Sequence, residues 1–177
     1  MKFLTTKRLC RAGVIAALYV ALTYAFAPLA FGPFQIRPAE ALCILALIYP
    51  EAIPALYIGC MLSNLQSAYL VYDVFIGSLA TLLAATGTYL IGRFIRNTPL
   101  KIILGGFFPI VLNAFIIPLI IVFLCDGGLE GKSLTVSYFT FVGSLALTES
   151  VWVYGLGTPL YLSFLRMQKK GIRILQD

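Results

Sequence analysis

The sequence predicts an all-α integral membrane protein with about six transmembrane helices. Of its 177 residues, 60% are hydrophobic and 11% are charged, and the mean hydropathy is +0.96. Soluble domains carry about 25% charged residues, so this chain has more apolar surface than one core of its size can bury. The length suits one domain, and we assign residues 1–177 to a single membrane-embedded, substrate-binding domain.

Proline, glycine and polar residues divide the chain into apolar segments that approach the roughly 20 residues of a membrane-spanning helix. The first helix is predicted to end before Gly32 and Pro33. Pro50 separates the second helix from the third, because proline disfavours helix in the residue before it. The second and third helices are shorter than a full span. The predicted helices cover about residues 12–30, 39–49, 51–66, 72–94, 102–124 and 136–165.

Lysine and arginine are distributed unevenly between the two sides that six helices define. Of 13 basic residues, Arg37 and Lys132 fall on one side and eleven on the other, together with both chain ends. Cytoplasmic flanks are enriched in these residues, so the bias predicts cytoplasmic N- and C-termini and an even number of spans. Their position beside apolar runs fits anionic lipid headgroups and argues against nucleic acid as a partner. The eleven are Lys2, Lys7, Arg8, Arg11, Arg93, Arg96, Lys101, Arg166, Lys169, Lys170 and Arg173.

Several classes of chemistry lack their usual residues. The chain has no histidine, and its four cysteines stand singly in apolar stretches, so no metal site or disulfide framework is predicted. No GxxxxGK[ST] phosphate loop is present, which excludes ATP hydrolysis by that route. We therefore predict no catalytic residues and no cofactor in this chain.

Polar side chains inside membrane helices are costly, and they usually face a bundle interior or a water-filled cavity. Most of those in this chain lie near predicted outer helix ends, which suggests a polar cavity open to the outside. Some have simpler explanations: Arg37 and Glu40 could form an interfacial ion pair, and Asp73 could cap a helix. Asn64 could bond a neighbouring helix. The candidate ligand contacts are Gln35, Arg37, Glu40, Asn64, Asp73, Asn113 and Glu149.

Glu149 is the most informative of these residues, because it interrupts a long apolar stretch with no basic residue within a helical turn. Trp152 follows three residues later on the same predicted face, although tryptophan is also a common interfacial anchor. A carboxylate can accept two hydrogen bonds and an aromatic face can stack on a planar ring. The pair therefore suits a planar base with adjacent N–H donors, such as a guanine edge. Tyr69 and Tyr72 are alternative stacking partners.

The first predicted helix carries small residues at a spacing of four. Gly13, Ala17, Ala21 and Ala25 form one row, and Ala12 and Ala16 form a second pair. Small residues at this spacing let another helix approach closely in a membrane. The partner could be a helix of the same bundle or a separate membrane subunit.

Taken together, these segments resemble the QueT family of substrate-binding (S) components of energy-coupling factor importers. The matching segments are residues 16–23 (AALYVALT), 31–42 (FGPFQIRPAEAL), 58–64 (IGCMLSN) and 73–83 (DVFIGSLATLL), followed by Asn113 and Glu149. They extend along nearly the whole chain, and their order and spacing carry the resemblance.

The resemblance implies a six-helix S component in the plasma membrane of a prokaryote. Such proteins capture a vitamin-like solute at the outer face and dock on a transmembrane coupling subunit that is bound to two ATPase subunits. The implied ligand is a 7-deazaguanine base, either a queuosine precursor or queuine. Docking by small residues in the first helix would involve Ala12, Ala16, Ala17 and Ala21. ATP would be used by the partner subunits.

Three alternatives remain open at this point. An S component for another vitamin-like solute would have the same fold. An ion-coupled carrier would work without any ATPase and would depend on a proton or sodium gradient. An intramembrane enzyme would have to use a carboxylate pair such as Glu40 and Glu149, because a serine–histidine or metal mechanism is excluded.

Overall fold

A computed structural model describes residues 5–31, 35–67 and 69–170. Their regular structure is entirely helical, which agrees with the predicted class of a helical membrane bundle. Lys2, Arg173 and residues 32–34 of the family-like first loop lie outside the described residues. The six main helices are α1 (Thr6–Ala25), α2 (Pro38–Leu47), α3 (Ala52–Asn64), α4 (Leu70–Phe94), α5 (Thr98–Leu124) and α6 (Leu134–Lys169).

Four of these helices, α1, α4, α5 and α6, are long and apolar enough to cross a membrane, whereas α2 and α3 have 10 and 13 residues. Large apolar side chains cover their outward faces, and Phe75, Phe139 and Leu147 are each more than 60% exposed. Soluble monomers rarely expose so much contiguous apolar surface. The long helices therefore indicate a multi-pass membrane protein.

The helix ends differ from the predicted ones at several places. α1 begins at Thr6 and not near residue 12, and α6 runs from Leu134 to Lys169, beyond the predicted 136–165. Hydropathy marks only the apolar centre of a helix, whereas backbone hydrogen bonding continues into the polar flanks. α1 also ends earlier than predicted, at Ala25, and a four-residue helix Ala27–Ala30 follows a break at Phe26.

α2 forms the centre of the bundle. It is a 3-10 helix, and all ten of its residues are buried. All of these residues except Glu40 are apolar, and a helix of this kind is buried by surrounding it with other helices. Glycines allow this close approach: a Cβ at Gly92 of α4 would lie 2.4 Å from the Leu47 carbonyl oxygen, and one at Gly157 of α6 would lie 3.1 Å from that of Ala41.

A buried ion pair joins three segments at one end of the bundle. The Arg11 guanidinium lies 2.7 Å from a carboxylate oxygen of Glu51, and both side chains are 8% exposed. Arg11 also covers the ring of Tyr49, 4.4 Å from its centroid, and Gln168 donates a hydrogen bond to the Tyr49 hydroxyl at 3.1 Å. α1, the α2–α3 turn and the C-terminal part of α6 are thereby connected.

Replacing Glu51 with glutamine should destabilise this end of the bundle. Removing one partner of a buried ion pair costs about 3–5 kcal/mol, because the remaining charge stays buried without compensation. Thermal unfolding of the detergent-purified chain measures the effect, with Glu130→Gln on the exposed α5–α6 loop as the matched control. Equal unfolding midpoints for the two variants would contradict a stabilising role for the pair.

Candidate functional site

The predicted site residues gather at the other end of the bundle. Glu51 lies immediately before α3 and Asn64 ends it, so a rise of about 1.5 Å per residue separates the ion pair from Asn64 by roughly 20 Å. All six main helices bring buried polar side chains to this end. The carboxyl groups of Glu40, Asp73 and Glu149 are all included, each at most 5% exposed.

The first part of the site joins α1 to α2 through Glu40. The Tyr19 hydroxyl donates to Glu40 Oε1, and the Cys43 thiol donates to Glu40 Oε2 at 3.2 Å. Both oxygens of this carboxyl group therefore have partners. Arg37 immediately precedes α2; its Nε donates to the Ala30 carbonyl at 3.2 Å, and its guanidinium lies 5.4 Å from the centre of the Phe31 ring.

The second part of the site joins α3 to α4 through Asn64 and Asp73. Asn64 Nδ2 donates to the backbone carbonyl of Asp73 at 2.7 Å, and Ser67 donates to Asp73 Oδ2. Asp73 opens a π-helical turn, Asp73–Gly77, within α4. Such turns are rare and often occur at functional sites. Asp73 lies in the first turn of α4, as a residue that stabilises a helix N-terminus would, and its buried carboxylate accepts a hydrogen bond from the Ser67 hydroxyl.

The third part of the site joins α5 to α6. Asn113 Nδ2 donates to Glu149 Oε1 at 3.1 Å, and the two side chains are 4% and 5% exposed. The buried residues of α6 recur every four positions, and this line continues through the π-helical segment Val151–Leu156. Glu149 belongs to this line together with Ser137, Phe141, Leu145, Val153, Gly157 and Tyr161.

Electrostatic interactions link the three parts. Arg37 interacts with both Glu40 and Asp73, and Glu149 interacts with Glu40 and Arg37. Buried polar atoms in native proteins nearly always have hydrogen-bond partners. Several atoms of this cluster have none among the described residues, which is the pattern of a site that awaits a polar ligand or water. They are Arg37 Nη2, Asn64 Oδ1, Asp73 Oδ1, Ser78 Oγ and Glu149 Oε2.

A cavity of about 300 Å³ lies beside the cluster, close to the lower limit of the roughly 300–1,000 Å³ of small-molecule sites. Tyr69 connects the cavity to the cluster, because its backbone N–H donates to Ser67 Oγ at 3.1 Å. Gln35 also lines the cavity and has a left-handed backbone, with φ of 47°. The other lining residues are Phe31, Ile121, Gly127, Gly128, Leu129 and Phe141.

The three aromatic residues predicted to stack on a ligand occupy different environments. Tyr69 lines the cavity, whereas Tyr72 is 40% exposed although the adjacent Asp73 is buried. Trp152 is only partly buried. The next fully buried residue of α6 after Glu149 is Val153, so Trp152 lies next to the buried face and not on it. The π-helical segment shifts the register, so the three-residue spacing no longer aligns Trp152 closely with Glu149.

Sequence reasoning missed Tyr19, Cys43, Ser67 and Gly77 as parts of this site. Tyr19 had a detectable signal, because Arg11, Ile15, Tyr19 and Thr23 repeat every four residues and form the buried line of α1. Gly77 is adjacent to both key α3–α4 side chains: a Cβ there would lie 3.4 Å from Asn64 Nδ2 and 3.8 Å from Asp73 Oδ1.

The small residues of α1 divide between two faces. Ala12 and Ala16 are partly buried against the core of the bundle, where the Ala16 carbonyl approaches Gly59 of α3. Ala17 and Ala21 are exposed, and a Cβ added at Gly13 would meet nothing within 4 Å. The row at Gly13, Ala17 and Ala21 is therefore an unoccupied face of small residues.

The sequence is similar to one family of known proteins. The family model described as QueT transporter matches residues 9–166. A queuosine precursor transporter QueT of Lactococcus lactis subsp. cremoris (strain MG1363) is 38% identical over 97 residues, which are 53% of this chain and 57% of that relative. The match thus spans a little over half the length of the curated relative. No solved structure matches the chain.

Proposed function

Because this chain belongs to the QueT transporter family, we propose that it binds a queuosine precursor or queuine for uptake across a prokaryotic cell membrane. The observation that carries the proposal is a set of buried polar atoms that have no hydrogen-bond partner among the described residues and lie at the end of the bundle opposite the Arg11–Glu51 ion pair. A buried site of this kind must be completed by a polar ligand or by water. The relative's name supplies a queuosine precursor as the ligand, and we infer from the family resemblance that the ligand class is a 7-deazaguanine base.

The free atoms match the hydrogen-bonding pattern of a guanine-like edge. Glu149 Oε2 is an acceptor for adjacent N–H groups, and the Asn113 amide holds the other oxygen of that carboxylate. Arg37 Nη2 is a donor and suits the carbonyl oxygen of the same edge. Tyr69 and Phe31 of the adjacent cavity are the nearest candidates for stacking on the ring, with Trp152 as a third.

In this proposal the chain crosses the membrane six times, with both termini in the cytoplasm. Basic residues at the ends of long helices lie at the same end of the bundle as the Arg11–Glu51 pair. Arg93 is in the last turn of α4, and Arg166 is in the last turn of α6. Positive residues favour the cytoplasmic side, so the ligand site faces outward.

Coupling to ATP hydrolysis would be supplied by other subunits. We assign the exposed face of Gly13, Ala17 and Ala21 to docking on a transmembrane coupling subunit, which carries two ATPase subunits. Close helix approach in membranes depends on small residues of this kind. Ala12 and Ala16 would act from within the bundle, by holding α1 against α3.

Thermal stabilisation of the detergent-purified chain tests the ligand class. The panel contains 7-deazaguanines, guanine, vitamins and amino acids. A ligand at 100 times its dissociation constant stabilises the folded chain by about 2.7 kcal/mol. We expect a selective shift with 7-deazaguanines and none with guanine. If only another solute raised the unfolding midpoint, the chain would still be a substrate-binding subunit of an importer, but the assignment to queuosine precursors would be rejected.

Uptake by proteoliposomes distinguishes an ATP-coupled subunit from an ion-coupled carrier. We expect no accumulation of the base by the chain alone under a proton or sodium gradient, and accumulation when the coupling and ATPase subunits and internal ATP are present. Gradient-driven accumulation without those subunits would identify a stand-alone carrier.

A further inference from the structure

The α5–α6 loop forms one side of the cavity beside the polar cluster. Gly127, Gly128 and Leu129 of this loop line the cavity, together with Ile121 near the end of α5. The loop covers residues 125–132, and none of these residues is fully buried. A segment that buries so little surface gains little stability from packing, so its position depends on individual hydrogen bonds and backbone contacts.

Two hydrogen bonds connect the backbone of this loop to the neighbouring helices within the described part of the chain. The Gly127 N–H donates to the Ile121 carbonyl at 2.8 Å, and the Leu129 N–H donates to Ser137 Oγ at 3.0 Å. Ser137 is completely buried and belongs to the same line of α6 as Glu149. Its hydroxyl therefore fixes the loop to the packed face of α6.

Gly127 is also the point at which the loop meets Tyr69, which lines the cavity from the segment before α4. A Cβ at Gly127 would lie 3.0 Å from the Tyr69 hydroxyl, 2.9 Å from the Ile121 carbonyl oxygen and 2.8 Å from Ile121 Cγ2. Cβ atoms in proteins essentially never come closer than 3.0 Å to such neighbours, and a backbone oxygen cannot rotate away. Only glycine therefore allows the loop to lie this close to Tyr69.

The adjacent Gly128 has no such requirement. A Cβ there would lie 3.5 Å from a methyl carbon of Leu134 and 3.8 Å from Ser137 Oγ, which are ordinary contact distances. Both glycines line the cavity, yet only Gly127 depends on the absence of a side chain. The two positions thus form a matched pair for an experiment.

We propose that Gly127 and Ser137 are positioning residues of the ligand site, which hold the α5–α6 loop against Tyr69 and thereby set the rate at which the ligand leaves the cavity. The inference rests on the proposed function. Glu149 and Arg37 recognise the base edge, whereas the loop encloses the bound base from one side. Because a loop with few connections opens more readily than packed helices, loss of one connection should accelerate release while recognition by the polar cluster is kept.

Release of a bound probe from the full-length chain in detergent tests Ser137→Ala. The probes are two radiolabelled 7-deazaguanines, queuine and 7-aminomethyl-7-deazaguanine, and their release is followed after addition of excess unlabelled base. We expect release about three- to tenfold faster than from wild type, which corresponds to the loss of roughly one hydrogen bond. The rate is measured only on chains that bound the probe, so a misfolded fraction does not alter it.

Ser133→Ala is the matched control for this substitution. Ser133 is exposed at the start of α6, and its Oγ accepts a hydrogen bond from the Val136 N–H at 3.4 Å. The control also removes a hydroxyl that accepts a backbone N–H, but it keeps the Leu129–Ser137 hydrogen bond, so release should stay at the wild-type rate. Equal acceleration in both variants would indicate fraying of the helix start and would contradict a specific role for Ser137.

Gly127→Ala tests the contact with Tyr69 independently of Ser137. Its methyl group displaces the loop, so release should be at least about threefold faster, because changes at a binding site act mainly on the dissociation rate. Gly128→Ala fits the space present and should release both probes at the wild-type rate. Equal rates for the two alanine variants would exclude the Gly127–Tyr69 contact as a determinant of release.

Hydrogen exchange of the unliganded chain adds a readout that needs no ligand. The amides of residues 125–132 should exchange faster in Ser137→Ala and Gly127→Ala than in wild type, whereas those of α3 should not change. Unchanged loop exchange, or wild-type release rates in both variants, would overturn the positioning role and leave the deazaguanine-binding function standing. Failure of the wild-type chain to bind either probe would overturn the proposed function and this inference together.

Discussion

Replacing Glu149 with glutamine should weaken binding of a 7-deazaguanine base by more than about tenfold, since one charge-assisted hydrogen bond contributes about 1.5–3 kcal/mol. Glu149 Oε1 is held by Asn113 at 3.1 Å, so the carboxylate presents Oε2 in a defined direction. Glutamine has nearly the same shape, but an amide nitrogen at the ligand-facing position would oppose the N–H donors of the base. Titration calorimetry on the purified variant measures the change.

The stability of the unliganded variant separates this explanation from misfolding. Glu149→Gln removes a buried carboxylate, so its unfolding midpoint without ligand should equal or exceed that of wild type. Glu130→Gln, at an exposed position on the α5–α6 loop, should bind the base normally. Unchanged affinity in Glu149→Gln would remove this residue from the ligand site.

The second large effect concerns α1 and leaves ligand binding intact. Gly13→Leu should reduce ATP-dependent uptake by at least about tenfold, because a bulky side chain separates helices that pack through small residues. A loss of only about 1.4 kcal/mol in docking corresponds to a tenfold change. The substitution is tolerated by the chain, since a Cβ at Gly13 meets nothing within 4 Å. Ala17→Leu, one turn further along the same face, should behave similarly.

Gly143→Leu is the matched control for this experiment. Gly143 lies on α6, is also exposed, and likewise has nothing within 4 Å of an added Cβ. Uptake by proteoliposomes that contain the coupling and ATPase subunits should therefore fall for Gly13→Leu and not for Gly143→Leu. An equal loss in both variants would point to a general defect, and normal uptake by Gly13→Leu would exclude this face from docking.

The membrane-protein class, and some residues of the candidate ligand site, could be predicted from residue types alone. A charged fraction of 11% requires lipid or a partner around the apolar surface, whatever the packing. The cost of an ionisable group in an apolar helix likewise marked Glu149, Asp73 and Arg37 before any contact was known. Each of these inferences depends on composition or on one local stretch, so no knowledge of neighbouring helices was needed.

Other features arise only when helices pack. The local sequence of residues 38–47 does not predict a 3-10 helix at the centre of the bundle. The burial of this helix depends on its close contacts with Gly92, Gly105 and Gly157 of three other helices. The Tyr19–Glu40 hydrogen bond joins residues 21 positions apart. Hydropathy also does not predict the end of α1 at Ala25 or the π-helical turns, because both are features of backbone hydrogen bonding.

Helix packing also separates the two sets of small residues on α1. The family resemblance implied docking by Ala12, Ala16, Ala17 and Ala21 together, whereas packing against α3 partly buries Ala12 and Ala16 and leaves Ala17 and Ala21 exposed. Similarly, Trp152 follows Glu149 at a helical spacing, yet a π-helical segment begins between them at Val151 and changes the register. Residue chemistry defines which groups need a partner, and the packing of distant segments defines which partner each one meets.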